Sequence, residues 1–348
     1  MIELHDADQV AAACGGDDLV VWTAQRLPFG GARAWARGEA VVVACPAVSK
    51  HDRLAVFGDP GDPAHAGLVR QVWREMGTGY RPFGDRETIH RLVEAMPGEL
   101  GPAGNFTWMT VGPDDVRLDV RTPDALGPDA IKADTSRPDT LRPESLWPDA
   151  LGTGAAKADA VGTDIFRPDA HRTDAHRTDI ARLETGSAVT YGPEANRSRG
   201  GQAAGESLAG GVAALMVKPD VAWLAPGAED EVAAVLDVAN PDAYARPGMP
   251  GVTRWAGVRD EAGRLVAVGA DAWSAPSVGF VGGVATLPEV RGSGLAGAIC
   301  RFLTAGLLDR HGRVSLMVDD VNAAALAVYR RLGYTRRPVA ATRAVQET

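Results

Sequence analysis

The residues best suited to chemistry lie toward the C-terminus. The stretch TLPEVRGSGLAG, Thr286 to Gly297, holds Gly292, Gly294 and Gly297 in G-x-G-x-x-G order. Apolar runs on either side read as a strand over 278–287 and a helix over 295–312. Glycines at a strand-to-helix turn let backbone amides approach a phosphate closely, and the helix N-terminus adds partial positive charge. Such a loop suits a dinucleotide, another phosphate-bearing ligand, or simply a flexible turn. Further on, Asn322 and Tyr329 lie two helical turns apart, on one face of a helix read over 322–334. A phenol in that place is a proton donor by type, and Asn322 can also cap the helix.

A dinucleotide fold fits the glycine order, and Asp319 ends the following strand where a ribose-binding acid belongs. Two features oppose it. Pro288-Glu289-Val290-Arg291 separates the strand from the first glycine, and too little chain follows Gly297 to complete a doubly wound sheet. A nucleotide P-loop fails because no Lys-Ser or Lys-Thr follows the glycines.

More residues are used by a third reading. VATLPEVRGSGLA resembles the acyl-CoA loop of the GNAT superfamily of N-acyltransferases, whose [RQ]-x-x-G-x-[GA] signature is met by Arg291, Gly294 and Ala296. The N-x-x-A-x-x-x-Y-x-x-x-G-[FY] pattern of that family is met by Asn322, Ala325, Tyr329, Gly333 and Tyr334. The resemblance covers roughly 218–345. It implies acetyl-CoA or another acyl-CoA as co-substrate; no metal is expected, and the lack of an evident Ser-His-Asp or Cys-His grouping favours direct attack by an amine. Val284, Ala285 and Thr286 would hold the pantetheine arm through their backbone. Amides of Arg291, Gly292, Ser293, Gly294, Leu295 and Ala296 would grip the diphosphate, Asn322 would join the coenzyme-binding set, and Tyr329 would be the acid for the CoA thiolate. A non-catalytic acyl-CoA sensor or scaffold is the alternative, because the strand before the loop carries no acid to serve as base. Asp271, Asp242 and Tyr244 are the remaining base candidates, and each reads as a surface polar group. Cys300, on an apolar helix stretch, reads as core.

The elements that must position these residues fall in a chain of 348 residues with 45% apolar content and a formal charge of -9. The third region, 218–348, reads as a GNAT-like mixed α/β sheet with strands at 220–227, 253–260, 264–273, 278–287 and 313–320. Residues 1–112 read as a smaller α/β domain. Strands are expected at 19–24, 32–37, 40–46, 53–58 and 104–112, with helices at 64–77 and 86–96. Its layout resembles a degenerate first copy in a tandem acyltransferase, and no coenzyme loop is evident there. Between them, 113–217, acids recur every five residues from Asp119 to Glu184, Gly154 filling the one missing place, in units such as RPDAH and RTDIA. The inward positions of a β-helix built on that period would be mostly Ala, Thr or Ser, too small to offset ordering costs of about 1–2 kcal/mol per residue. A disordered insert with a Gly/Ala-rich tether is therefore expected.

The acidic balance and lack of a basic run argue against nucleic acid as partner. No stretch approaches the length of a membrane span, and the start shows no secretory h-region, so a cytoplasmic protein is expected. Cys14, Cys45 and Cys300 are too few and too scattered for a disulfide framework or zinc site. The acceptor is expected to be a small-molecule or protein amine.

Overall fold

The structure, a computed structural model, describes residues 1–118 and 219–345. The pentad repeat from Asp119 onward and its tether lie outside the described residues.

The N-terminal half runs β1 (Ile2–Leu4), α1 (Ala7–Ala13), α2 (Asp18–Thr23), β2 (Arg33–Arg37), β3 (Ala40–Val48), β4 (His51–Phe57), α3 (Pro63–Met76), β5 (Arg81–Asp85), α4 (Arg86–Ala95) and β6 (Gly104–Val111). The C-terminal half runs β7 (Val221–Trp223), α5 (Glu229–Ala239), β8 (Val252–Arg259), β9 (Leu265–Ala272), β10 (Gly279–Thr286), α6 (Leu295–His311), β11 (Val314–Val318), α7 (Ala323–Arg331) and β12 (Thr335–Ala341). The two halves thus pass through one order of elements, α5 standing where the first has α1 and α2.

All these strands form one mixed sheet in the order β1-β2-β3-β4-β5-β12-β6-β11-β10-β9-β8-β7. The last strand of each half is exchanged. β6 pairs antiparallel with β11, β12 pairs antiparallel with β5, and the two meet along Gly104–Thr110 and Thr335–Ala341. Arg337 of β12 fixes this exchange. Its guanidinium donates to both carboxylate oxygens of Asp85, at 2.6 and 3.0 Å, and reaches Asp17 at 2.7 Å.

Sequence explains the layers. In β3, Val41, Val43 and Cys45 face α2, while Val42 and Ala44 join the cluster under α3 and α4, so the strand is buried on both sides. Asp62 caps α3 by accepting from the Ala64 amide, and Leu68, Val69, Val72 and Trp73 form its buried stripe. In the second half α6 seats Ile299, Leu303 and Leu307 on the sheet. Gly269 permits that approach, since a Cβ there would lie 2.6 Å from Ile299 Cγ2.

One expected strand is a helix. LVVWTA, 19–24, is helix α2 with a 3-10 turn after it, not a strand. Asp17 caps it, accepting from the Val20 amide at 3.0 Å, and the segment is buried on nearly all sides. A short apolar run without periodicity does not distinguish the two states, so the cap decides.

Candidate functional site

β10 and β11 run parallel but pair only at Gly279–Val314 and Phe280–Ser315. β10 continues to Thr286 and β11 to Val318, and among the described residues no pairing joins them beyond that point. β11 is meanwhile paired with β6 along its whole length. The sheet therefore splits, leaving the β11-facing backbone groups of 281–286 open along one side of a wedge. The counterpart pair in the first half, β4 and β5, stays closed over four registers from Arg53–Arg81 to Val56–Gly84.

A bulge shapes the open edge. The β9–β10 register shifts between Gly282 and Ala285, and Gly283 takes a φ of 60°. A bulge at this place re-aims the backbone of Val284, Ala285 and Thr286. The Thr286 hydroxyl is buried with no hydrogen-bond partner among the described residues.

At the top of β10 a 3-10 turn, Pro288–Val290, leads into the glycine loop. Gly292 and Gly294 have φ of 81° and 84°, values for which a Cβ is penalised. Gly294 is the N-cap of α6 and gives it no side-chain cap. Asp6, Asp17, Asp62 and Asn322 do cap α1, α2, α3 and α7. The first amides of α6 have no intrahelical acceptor and are left without a side-chain cap. Ser293 Oγ donates to the Val290 carbonyl at 2.5 Å, and Leu295 and Ala296 begin the helix, half-buried. Arg291 donates to the carbonyls of Thr286 and Ala239, both at 3.1 Å, and so ties the loop to β10 and to the end of α5.

On the other side of the wedge Asn322 caps α7, its Oδ1 accepting from the Ala325 amide at 3.0 Å. The turn before it is held by the first half of the chain. Asp320 accepts from Thr107 Oγ1 at 2.6 Å and from Arg86 at 2.5 Å. Tyr329 is buried between α7 and α6, its ring 5.8 Å from that of Tyr334. Burial, with Cys300 and Tyr334 beside it, pushes its phenol well above the usual range, so it stays protonated. Burial also pushes the Cys300 thiol up to about 12, which agrees with a core role.

The base candidates separate. Asp242 is exposed and Tyr244 half-buried. Asp271 is not a surface group as expected: it is 3% exposed, accepting from Ser274 at 2.5 Å and from Arg254 at 3.2 Å. It shares the α6 face of β9 with Gly269, close to Arg310 in the last turn of α6 and thus at the far end of that helix from the glycine loop. A carboxylate so paired is a structural anchor. Among the described residues no cluster of His, Cys, Asp and Glu could hold a metal, and no helix is long and apolar enough to cross a membrane.

Residues 257–344 match the family model described as FR47-like protein. The C-terminal half has the GNAT fold that its two motifs resemble. Among solved structures, a GNAT-family protein from Novosphingobium aromaticivorans is 31% identical over 37% of this chain and 57% of its own, with a TM-score of 0.34. A GCN5-related N-acetyltransferase from Sphaerobacter thermophilus is 14% identical over 99% of this chain and 96% of its own, at 0.47. One from Kribbella flavida is 15% identical over 92% and 91%, at 0.45. No curated protein matches the chain.

Proposed function

We propose that this protein is an acyl-CoA-dependent N-acyltransferase, moving an acetyl group from acetyl-CoA to an amine in a ternary complex. The single observation that carries the reading is the split between β10 and β11 closed at its mouth by the uncapped N-terminus of α6. An extended arm with amides of its own fits such a split as an added strand, hydrogen-bonding to the open edge of Val284, Ala285 and Thr286. A diphosphate suits the amides of 291–296 and the helix dipole.

With the thioester at the bulge, a re-aimed amide there would stabilise the oxyanion as the amine attacks. The carbon–nitrogen bond forms, the carbon–sulfur bond breaks, the amine proton leaves to solvent, and the thiolate takes a proton. Tyr329 is the donor assigned by motif and helix face; burial raises its phenol, so it is protonated at neutral pH but a weaker acid than a free tyrosine.

A second reading, an acyl-CoA sensor or scaffold without turnover, is favoured by the placement of the Tyr329 phenol against Cys300 and the anchoring of Asp271. Calorimetry with CoA and acetyl-CoA, followed by thiol release on an amine panel, separates the two. Binding with release supports the transferase, binding without release supports the sensor, and no binding removes both.

A further inference from the structure

The β3–β4 hairpin of the first half turns on Ser49 and Lys50, with Val48 paired to His51. Both turn residues have left-handed backbone, φ 53° and 69°. A two-residue turn of that hand is the place for Asn-Gly, because a side chain there is strained. Ser-Lys in such a turn sacrifices stability, and strain of this kind collects at functional positions.

The strained turn holds Lys50 against the other half. Its Nζ lies 5.4 Å from the centre of the Tyr244 ring, and the His51 ring meets Tyr244 edge-on at 5.5 Å. Tyr244 belongs to the loop between α5 and β8. Its neighbour Ala245 packs on the β10 bulge, 3.3 Å from where a Cβ on Gly282 or Gly283 would stand. The Tyr244 backbone is therefore one residue step, about 3.8 Å, from the residue that packs on the bulge.

Charge gathers behind this ring. Arg53 and Arg81 are register partners beside His51. Arg81 comes within 3.1 Å of His51 Nε2, and since a guanidinium only donates, that nitrogen accepts. Arg53 is fully buried, stacked 5.3 Å from the Phe83 ring, and burial pushes its guanidinium down to about 10, so it keeps its charge at neutral pH. Of the acids nearby, Asp52 is exposed, accepts from the Ala47 amide and lies by strand alternation on the opposite face from His51 and Arg53, while Asp242, two residues before Tyr244, is exposed.

We propose that the Ser49–Lys50 hairpin of the first half, with Tyr244, forms the acceptor-selecting wall of the transferase site, and that the preferred acceptor is an amine bearing a carboxylate several bonds from the reacting nitrogen. The proposal rests on the acyltransferase reading. Lys50 supplies the point charge, Arg53 holds the turn through the Val48 and Ser49 carbonyls, and Tyr244 lines the path from the thioester. Net charge on the chain, which is negative, does not decide a local field of this kind.

The test uses a ruler of matched acceptors, the ω-amino acids and the n-alkylamines of equal carbon count, with acetyl-CoA and the full chain. The expected result is a kcat/KM ratio favouring the amino acids at least tenfold, peaking at an intermediate chain length. Lys50→Met lowers that ratio about tenfold and Lys50→Arg restores most of it. Lys50→Gly lowers the ratio equally while raising the urea midpoint, since glycine relieves the turn; a purely structural lysine would not separate the two readouts. Equal rates for both series, or loss of rate on both series alike in Lys50→Met, overturns the proposal. Should no acceptor turn over, the N-acetylated products of both series are titrated calorimetrically into the CoA complex. Equal affinities there also overturn it, whereas absence of heat with CoA itself removes the acyl-CoA reading instead.

Discussion

Trp22 and Phe280 are stacked, ring centroids 4.7 Å apart and planes 24° from parallel. Trp22 sits on α2 of the first half and Phe280 is the last residue at which β10 pairs with β11. Trp22 also donates its indole N–H to the Trp273 carbonyl at 2.7 Å. The first half of the chain thus braces the point from which the wedge opens. Trp22→Ala is expected to cost about 3–5 kcal/mol by cavity formation. Chemical denaturation measures that, and calorimetry should show weakened CoA binding in whatever fraction stays folded.

Gly294→Val tests the loop. A β-branched residue at φ 84° is strained by about 1–2 kcal/mol, and its side chain would occupy the approach to the α6 amides. The acetyl-CoA KM should rise at least tenfold while the acceptor KM stays within about twofold. A variant with full coenzyme affinity would remove the diphosphate from this loop.

Tyr329→Phe keeps the ring and removes the proton. If the phenol protonates the leaving thiolate, kcat should fall about tenfold to a hundredfold with acetyl-CoA binding preserved. A leaving group of lower pKa, such as a thiophenyl ester analogue, should suffer less. Equal losses for both thioesters would leave Tyr329 a packing residue.

Alkaline pH should destabilise the fold in a defined window. Cys45 and Cys300 are both raised to about 12 by burial, against an ordinary thiol value near 9.0. The native state then holds protons that the unfolded chain releases, so their stabilisation is complete below about pH 9 and is lost as pH rises toward 12. Each contributes a slope of about 1.4 kcal/mol per pH unit within that range. Urea midpoints measured from pH 8 to 11 should fall less steeply in Cys45→Ala/Cys300→Ala than in the parent.

The chain leaves β6 at Val111 and re-enters the sheet at Val221, on β7, five strand positions away. At roughly 4.8 Å per strand, with one strand length added, a flexible link of about 20 residues spans the distance. Replacing 119–218 with such a link should keep the fold and raise stability by about 1 kcal/mol, because loop closure becomes less costly. Loss of the cooperative transition would mean that this segment is part of the folded unit.

Some elements were legible because their signals are local. α3 has Asp62, Pro63 and an apolar stripe within one stretch, and α6 begins at the glycines that also mark the loop. β5 and β12 were not. RPFGD carries Pro82 and Gly84, and TRRPVAA carries charges and Pro338, all poor strand formers. They are strands because long-range partners require it: a Cβ on Gly84 would come 2.4 Å from the Val56 carbonyl. Asp271 read as a surface acid because nothing near it in the chain announces Arg254 or Arg310.

By itself the sequence determined the glycine loop and the helix that follows, since Arg291 to Ala296 form one contiguous turn whose glycines fix its backbone. Only the tertiary structure decided that β6 and β12 change places, that β10 and β11 part after two residues, and that Lys50 reaches Tyr244. Those outcomes depend on pairings between residues far apart in the chain, 35 positions for Gly279 and Val314 and more for the others, whose free energy comes from burial and register that no short window of residues contains.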